Sequence, residues 1–405
     1  MSVPDPSAPL SSAPLSSVEV RPRVACLPTG PDEYAAAVVR ALASRADVLV
    51  VAPTGWVARY RDDLPAAVLL VALPWPRHRD PRNLLLAKRI LAELRAFSPD
   101  IVHFLGESIL WLVLALPWLR RWPLAITVHD VDYHPGDVQS QTLPLAPIRL
   151  FRRAMDGVFV HGPVQAERLL AAGISPGGGT HIVPHPVLDR HARLAGPASV
   201  DDAPADGAAP AAAPRLLFFG RVMRYKGLAV LLEAGDLLVE RLPALRLVIA
   251  GTGPELERLR PEIDRRPWVE VIDGYVPDAA VAGLFRAASL VVLPYIEASQ
   301  SGVAALAAGF ARPVVASDVG ELGLLVRETG MGLVVPPGEP AALSASIARL
   351  LEDEALAASC RRAAAAAAVG SMSPATVAER TLGAYARIIA GRAAASPGAG
   401  PEARR

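Results

Sequence analysis

Short apolar runs alternate with helical stretches along most of the chain. Seven runs rich in β-branched residues or leucine occur before residue 190, and six more follow residue 214. Continuous apolar strands that alternate with helices are typical of parallel sheets covered on both faces. The alternation therefore predicts an α/β fold built on doubly wound, Rossmann-like parallel sheets.

A stretch of Ala, Pro, Asp and Gly at 194–213 separates the two groups of strands. It cannot bury a core, so it predicts a linker between an N-terminal domain at 20–193 and a C-terminal domain at 214–372. The cleft between two such domains is the expected ligand site. The outer segments are read as a disordered lead-in at 1–19, a final helix at 373–392 and a loose tail at 393–405.

The composition limits the function and the compartment. A formal net charge of +1 over 405 residues argues against a general nucleic-acid binder. The two cysteines, Cys26 and Cys360, give neither a disulfide framework nor a metal cluster, and they favour a reducing compartment such as the cytoplasm. The N-terminus lacks the basic start and apolar stretch of a secretory signal.

The turn in "FFGRVMRYKGL" places two cations where a strand ends and a helix begins. Gly220 is followed by Arg221, and Lys226 comes five positions later. Backbone amides and the helix dipole favour an anion at such a junction, and Arg and Lys both suit phosphate oxygens. This pattern favours a phosphate site over the alternative, a solvated turn.

Two further turns belong to the same predicted site. Gly253, in "VIAGTGPELERL", allows a ligand or a neighbouring chain segment to approach the backbone closely. In "LPYIEASQSGVAALAAG", Ser299 or Ser301 can cap the helix that follows, and Gly302 leaves its first turn open. Glu297 either holds sugar hydroxyls in the cleft or is an ordinary loop carboxylate.

In the N-terminal half, "PLAITVHD" places His129 and Asp130 at a strand end that faces the expected cleft. This placement favours a functional histidine over a structural one. The other histidines near strand ends have no recognisable metal-ligand spacing and stay unassigned: His103, His161, His181 and His185. The sequence contains no Walker loop, zinc motif or serine nucleophile elbow.

Membrane contact is a separate question for this domain. The apolar segment at 109–119 is too short to span a bilayer, which needs ~20 residues. Trp, Leu and Phe are mixed with Arg and Lys at 73–90, 117–123 and 148–155. Such faces either lie peripherally on anionic lipid, which would place the protein on the inner face of the membrane, or are ordinary amphipathic surface.

Three blocks of the second half, in this order, resemble the donor-binding half of family 4 glycosyltransferases, the group 1 family with the GT-B fold. They are "FGRVMRYKGLAVLLEA", "VIAGTGPELERL" and "LPYIEASQSGVAALAAGFARPVVASDVGEL". The likeness is strong over about 214–340. It is weak in the first half, where "ITVHD", "VHG" and "HIVPHPV" carry it.

The resemblance implies a nucleotide-sugar donor that is bound mainly by the second domain. Arg221 and Lys226 would hold its diphosphate without a metal or other cofactor, and Ser301 and Gly302 would offer backbone amides to the phosphates. The donor-binding turns would include Gly220 and Gly253.

The same resemblance places Tyr275 and Val276 near the nucleobase. It implies that His129 approaches the transferred sugar from the first domain and that the last helix crosses back onto that domain. Retaining members of the family need no protein nucleophile.

The chain departs from the family pattern at two places. Many members carry a second glutamate where this chain has Ala305, so Glu297 either acts alone or neither acidic role is kept. A branch of the family lacks that second glutamate. The first turn, "CLPTGPDEY", also lacks the usual glycine pair.

The sequence thus predicts a retaining, metal-independent glycosyltransferase that uses a glycan, a lipid-linked molecule or a small molecule as acceptor. One alternative is a non-catalytic GT-B module that binds a nucleotide sugar or a partner protein. Another is a nucleotide-sugar epimerase, although the additional cleft carboxylates and histidines of such enzymes are not recognisable here.

Overall fold

The computed structural model describes residues 21–77, 80–107, 110–132, 145–196 and 213–395. The predicted lead-in at 1–19, most of the linker and the last ten residues lie outside these ranges. Residues 78–79, 108–109 and 133–144 also lie outside them.

The N-terminal domain contains a seven-stranded sheet in the order β3-β2-β1-β4-β5-β6-β7, and every pairing is parallel. Its strands are β1 Arg23–Leu27, β2 Asp47–Pro53, β3 Leu69–Leu73, β4 Ile101–Phe104, β5 Leu124–Thr127, β6 Gly157–Val160 and β7 Thr180–Ile182. Its helices are α1 Asp32–Ala43, α2 Thr54–Tyr60, α3 Asn83–Phe97, α4 Leu116–Leu119, α5 Leu145–Arg153, α6 Pro163–Ala171 and α7 Arg190–Leu194.

The C-terminal domain contains a six-stranded parallel sheet in the order β10-β9-β8-β11-β12-β13. Its strands are β8 Arg215–Phe219, β9 Arg246–Gly251, β10 Val269–Asp273, β11 Leu290–Leu293, β12 Val314–Ser317 and β13 Gly332–Val335. Its helices are α8 Leu228–Val239, α9 Pro254–Ile263, α10 Asp278–Ala287, α11 Gly302–Gly309, α12 Gly320–Thr329, α13 Pro340–Glu352 and α14 Glu354–Val369, and the chain continues into α15 Pro374–Ala395.

Each sheet is covered by helices on both faces, as the continuous apolar strands predict. Residues of α1, α2 and α15 pack on one face of the N-terminal sheet, and those of α3, α4 and α5 pack on the other. In the C-terminal domain, α8, α9 and α13 cover one face, and α10, α11 and α12 cover the other. The predicted fold class, two doubly wound parallel-sheet domains, is confirmed.

The last helix, α15, follows the second domain in sequence but packs against the first. Its Tyr385 and Ile388 belong to the apolar core around α1. The Tyr385 hydroxyl also lies 2.6 Å from Nδ1 of His103 on β4. These contacts tie the end of the chain to the N-terminal sheet.

The apolar segment at 109–119 forms a 3-10 turn at Leu110–Ala115 followed by the short helix α4. In the ranges that the structure describes, none of the helices combines the length and apolar character that crossing a bilayer requires.

Candidate active site

Each sheet reverses its strand order once, and several of the predicted site residues follow the strands at the reversal in the C-terminal sheet. The reversal lies between β8 and β11 in the C-terminal sheet, and between β1 and β4 in the N-terminal sheet. Arg221 follows β8 and Glu297 follows β11. Crevices at the carboxyl ends of such strands are the usual ligand sites of doubly wound folds.

Backbone hydrogen bonds connect the turn after β8 to the end of β9 and the turn that follows it. The Gly220 amide donates to the Ala250 carbonyl at 2.9 Å, and the Val222 amide donates to the Thr252 carbonyl at 2.8 Å. The chain then forms a 3-10 turn at Arg224–Lys226 and enters α8. The backbone that carries the two cations is therefore fixed by two strands.

The Lys226 ammonium is buried at this turn, with 9% of the residue exposed. It lies 5.3 Å from the centre of the Tyr295 ring, and no carboxylate of the described residues forms an ion pair with it. Burial lowers the pKa of Lys226, Tyr225 partly opposes this effect, and the charge of Arg221, which is exposed nearby, lowers the pKa again. A buried ammonium that has no carboxylate partner and lies near a second cation favours a bound anion.

Gly251 and Gly253 are required by the chain itself. A Cβ on Gly251 would lie 1.9 Å from the Gly220 carbonyl oxygen, and a Cβ on Gly253 would lie 2.3 Å from the Val222 carbonyl oxygen. The sequence predicts that a ligand or a neighbouring segment approaches Gly253, and in the structure the Val222 backbone does so. Its close approach holds the β8 and β9 turns together.

The helix α11 begins at Gly302 and is capped by Ser301. The Ser301 hydroxyl accepts a hydrogen bond from the Ala304 amide at 3.2 Å and lies 3.3 Å from the Tyr295 hydroxyl. Of the two candidate caps, the structure selects Ser301. A Cβ on Gly302 would meet only Leu188, at an ordinary 3.6 Å, so this first turn keeps space for a ligand. Glu297 is half-buried in the preceding loop.

His129 lies across the cleft, buried at the end of β5. Its Nε2 is 3.3 Å from the Leu105 carbonyl oxygen, and its Nδ1 is 2.8 Å from Nε2 of Gln300 in the other domain. A carbonyl can only accept and an amide nitrogen donates, so Nε2 carries the proton and Nδ1 accepts. Burial lowers the pKa of His129, which keeps the ring neutral.

A buried ion pair fixes the loop that carries His129. Arg152 donates to Glu107 at 2.7 Å, to the Asp130 carbonyl at 2.8 Å and to the Val131 carbonyl at 3.0 Å. The loops after β1 and β4 also approach each other closely near His129. A Cβ on Gly106 would lie 2.3 Å from the Gly30 Cα. The first turn lacks the glycine pair that is usual in the family. A close contact between two glycines still forms, but Gly30 and Gly106 come from different loops.

Tyr275 and Val276 point to different environments. Tyr275 is 70% exposed, and its hydroxyl lies 2.5 Å from a guanidinium nitrogen of Arg59 in the first domain. Arg59 also forms an ion pair with Asp278 at 2.6 Å. Val276 is buried in the apolar core of the second domain. Of these two residues, only Tyr275 presents its side chain at the cleft.

A second contact between the domains involves Glu321, at the start of α12. Its carboxylate accepts a hydrogen bond from the Gln165 amide at 2.8 Å, at the N-terminus of α6. A Cβ on Gly162 would lie 1.9 Å from the same carboxylate. Burial raises the pKa of Glu321, and the backbone hydrogen bonds to α6 lower it. A carboxylate of one domain therefore caps a helix of the other.

The residues that the sequence did not single out include Gln300, Arg59 and Glu321. Gln300 lies between Glu297 and Ser301 in the segment "LPYIEASQSGVAALAAG", and this position next to predicted site residues is the signal that could have indicated it. Arg59 and Glu321 carry none, because their partners are more than 150 positions away in the chain. In the portion of the chain that the structure describes, no group of three or more His, Cys, Asp or Glu residues is arranged to hold a metal ion.

Two family models match the chain, one in each domain. The model described as "Glycosyl transferase 4-like domain" matches residues 29–186, and the model described as "Glycosyl transferases group 1" matches residues 213–353. Together they cover the greater part of both parallel sheets.

Curated relatives match part of the chain. The chain is 36% identical over 155 residues to a D-inositol 3-phosphate glycosyltransferase of Corynebacterium efficiens, over 36% of each protein. It is 35% identical over 164 residues to a phosphatidyl-myo-inositol mannosyltransferase of Mycobacterium leprae, over 39% of this chain and 42% of that protein. The matched region thus spans about two fifths of the length of these relatives.

A solved structure resembles the whole two-domain fold. The crystal structure of Anabaena HepE in complex with UDP has a TM-score of 0.65 and 16% sequence identity. It covers 90% of this chain and 99% of that protein. At this identity the likeness establishes the fold alone.

Proposed function

The chain belongs to the group 1 glycosyltransferases of the GT-B fold, and we propose that it transfers a sugar from a nucleotide-diphosphate sugar to an acceptor hydroxyl. The observation that carries this proposal is the buried Lys226 ammonium, which lacks a carboxylate partner in the described chain and lies near Arg221 at the point where the sheet reverses its order. A diphosphate has the charge that Lys226 lacks.

The two cations suit the chemistry of the leaving group. The acceptor oxygen forms a bond to the anomeric carbon of the donor sugar, and the bond from that carbon to the diphosphate oxygen breaks. Negative charge develops on the departing diphosphate, where Arg221, Lys226 and the N-terminus of α11 supply fixed positive potential. We propose that these groups take the role of a divalent cation, so that the transfer needs neither a metal nor another cofactor.

We propose retention of the anomeric configuration. In this scheme the acceptor approaches from the face that the diphosphate leaves, and the acceptor proton passes to a departing phosphate oxygen. The scheme needs no protein nucleophile. In this scheme His129 is a neutral, ordered part of the wall beside the transferred sugar, because Gln300 and the Leu105 carbonyl engage its two ring nitrogens.

Glu297 completes the donor site in this proposal. It is half-buried beside the capped start of α11, where a carboxylate can accept hydrogen bonds from sugar hydroxyls. The position of the second family glutamate is occupied by Ala305, which is fully buried, so Glu297 acts alone. Tyr275 offers an exposed ring for the nucleobase.

Ligand-induced stabilisation tests the donor site directly. The unfolding temperature is measured against UDP, GDP, ADP and their sugar conjugates, for the unmodified protein and for Arg221→Ala. Arg224→Ala is the matched control, since Arg224 is an exposed cation of the same turn. At about 100 Kd, a bound nucleotide adds about 2.7 kcal/mol of stability.

We expect stabilisation by one nucleotide base, lost in Arg221→Ala and kept in Arg224→Ala. The absence of stabilisation by every nucleotide would contradict the proposal. Nucleotide binding without either transfer or hydrolysis of any donor would instead favour the non-catalytic module.

We further propose that the N-terminal domain contacts anionic lipid peripherally through α3 and α4. Leu84 and Leu85 on α3 and Trp118 on α4 are each more than half exposed. The exposed face of α3 also carries Lys88 and Arg89. Apolar side chains with flanking cations suit an anionic membrane surface.

Co-sedimentation with vesicles tests this contact. We expect binding to vesicles that contain phosphatidylglycerol and weaker binding by Trp118→Ser. Equal recovery in the supernatant with anionic and neutral vesicles at low salt would show that the face is ordinary surface.

A further inference from the structure

A network of charged side chains joins the two domains beside Tyr275, the residue proposed to face the nucleobase. Arg59, near the end of α2 in the first domain, donates a hydrogen bond to Oδ1 of Asp278 at 2.6 Å. Arg190, on α7, donates to the other oxygen of the same carboxylate at 2.6 Å and also forms an ion pair with Asp63. Because Asp278 begins α10, one carboxylate of the second domain receives two guanidinium groups of the first.

The buried ring of Tyr60 lies beside both guanidinium groups of this network. Its centre is 5.4 Å from the guanidinium carbon of Arg59 and 5.2 Å from that of Arg190. Attraction between a cation and an aromatic ring adds to the ion pairs. Burial alone would raise the pKa of Asp278, but the hydrogen bonds from Arg190 and Arg59 outweigh burial and hold that pKa below its ordinary value. The carboxylate is therefore charged at neutral pH, and the network holds Arg59 in one position.

The same network fixes the side chain of Tyr275. Its hydroxyl oxygen accepts a hydrogen bond from Arg59 at 2.5 Å, and the hydroxyl donates to Oδ1 of Asp278 at 3.2 Å. The next residue, Val276, anchors the backbone in the apolar core of the second domain. Although 70% of Tyr275 is exposed, its ring is therefore held at both the hydroxyl and the backbone and keeps one orientation at the cleft.

An exposed aromatic ring with a fixed orientation is suited to stacking against a nucleobase. Every base has a flat π-face that an aromatic side chain can contact. A ring that rotates freely must be ordered when the base binds, and this loss of conformational entropy weakens the affinity. A ring that is already ordered avoids this loss, and here the ordering group belongs to the other domain.

We infer that Arg59 is a positioning residue of the donor site: from the first domain, it orients Tyr275 of the second domain as the stacking surface for the nucleobase. The inference rests on the proposed function, since it concerns the nucleotide of that same donor. Arg59 acts through the Tyr275 hydroxyl and needs no contact with the nucleotide. The affinity for the nucleotide therefore depends on a residue of the acceptor-binding domain.

A double-mutant cycle on these two residues tests the inference. Arg59→Met removes the guanidinium and keeps a long side chain, and Tyr275→Phe removes the hydroxyl and keeps the ring. Arg61→Met is the matched control, because Arg61 is an exposed arginine two positions further along the chain and lies outside the network described above. Calorimetric titration of each full-length variant with UDP, GDP and ADP gives the affinities. Steady-state kinetics with the corresponding nucleotide sugars gives KM and kcat, and thermal unfolding without ligand verifies that each variant is folded.

For the nucleotide that binds the unmodified protein, we expect Arg59→Met and Tyr275→Phe each to weaken binding about five-fold, and Arg61→Met to leave it within about two-fold. The double variant should bind about as weakly as either single variant, because both changes release the same ring. The KM for the donor should rise by a similar factor while kcat changes less than about two-fold, since the ring contacts the base and not the bond that breaks.

Equal nucleotide affinity of Arg59→Met and Arg61→Met would overturn the inference. So would a double variant weakened by the product of the two single effects, about 25-fold, because Arg59 would then act independently of Tyr275. A loss confined to kcat would also overturn it, since Arg59 would then serve the arrangement of the domains during transfer. Absence of binding by all three nucleotides to the unmodified protein would overturn the proposed function and this inference with it, and is thereby distinguished from a failure of the inference alone.

Discussion

Arg152 and Lys226 are both buried cations beside the cleft, one in each domain, and their surroundings are opposite. Arg152 donates to both oxygens of Glu107 and to the carbonyls of Asp130 and Val131. Lys226 faces the ring of Tyr295, the backbone of Gly220 and the charge of Arg221. No carboxylate of the described chain neutralises it.

The difference indicates what each cation is for. The charge and hydrogen bonds of Arg152 are used within the protein, where they fix the loop that carries His129. Lys226 keeps an uncompensated charge at a conformationally fixed position. Burial of such a charge lowers the stability of the protein unless an anionic ligand neutralises it. The first domain thus supplies a neutral, ordered wall, and the second supplies the anion site.

The largest effect should come from Lys226→Met. Removing the ammonium takes away stabilisation of the departing diphosphate, so we expect turnover to fall by about 10³-fold. The unfolding temperature should stay the same or rise, because an uncompensated buried charge is lost. Steady-state kinetics and thermal unfolding of one preparation measure both quantities. A stable variant with unchanged turnover would remove the contrast between the two cations.

Arg152→Met should act in the opposite way, through stability. It leaves the Glu107 carboxylate buried without its partner, which should lower the free energy of unfolding by about 3 kcal/mol. Denaturant unfolding measures this loss. The double variant Arg152→Met with Glu107→Leu should recover much of it, because the orphaned charge is then gone. A single variant as stable as the unmodified protein would show that the pair is not structural.

The pH dependence of nucleotide binding sharpens the same contrast. The pKa of Lys226 is lowered by burial, and a bound diphosphate favours its charged form. Affinity should therefore be highest below that lowered pKa and should fall by up to about ten-fold per pH unit above it. The decline should begin below the ordinary lysine range and be absent in Lys226→Arg. Calorimetric titration from pH 6 to pH 10 measures it.

We expect the smallest effect from two serine substitutions. Like the two cations, one serine hydroxyl has a partner within the protein and the other has none. Ser301 caps α11, whereas the fully buried Ser299 hydroxyl has no partner in the described chain. Ser301→Ala should cost about 1 kcal/mol of stability, and Ser299→Ala should cost nothing. Chemical denaturation of the two variants measures both values. A larger loss for Ser299→Ala would reverse the assignment of the cap.

The arrangement of strands and helices could be predicted from the sequence because it depends on local patterns of apolar residues. Every apolar run that the sequence indicated as a strand forms one, since burial on both faces of a sheet requires continuous apolar side chains. The turn at Gly220 and Lys226 was equally accessible, because a strand end, a helix start and two cations lie within a few residues. Ser301 and Ser299 could not be separated, because both precede α11 at capping distance.

The sequence by itself determined the two parallel-sheet domains and the position of the cations, because these depend on hydrophobic periodicity and on neighbouring residues. Only the tertiary structure decided which polar groups are satisfied. It paired Arg152 with Glu107, oriented Gln300 on His129, and placed the Val222 backbone against Gly253. Partners so distant in sequence leave no local pattern, since folding alone brings them within hydrogen-bonding distance.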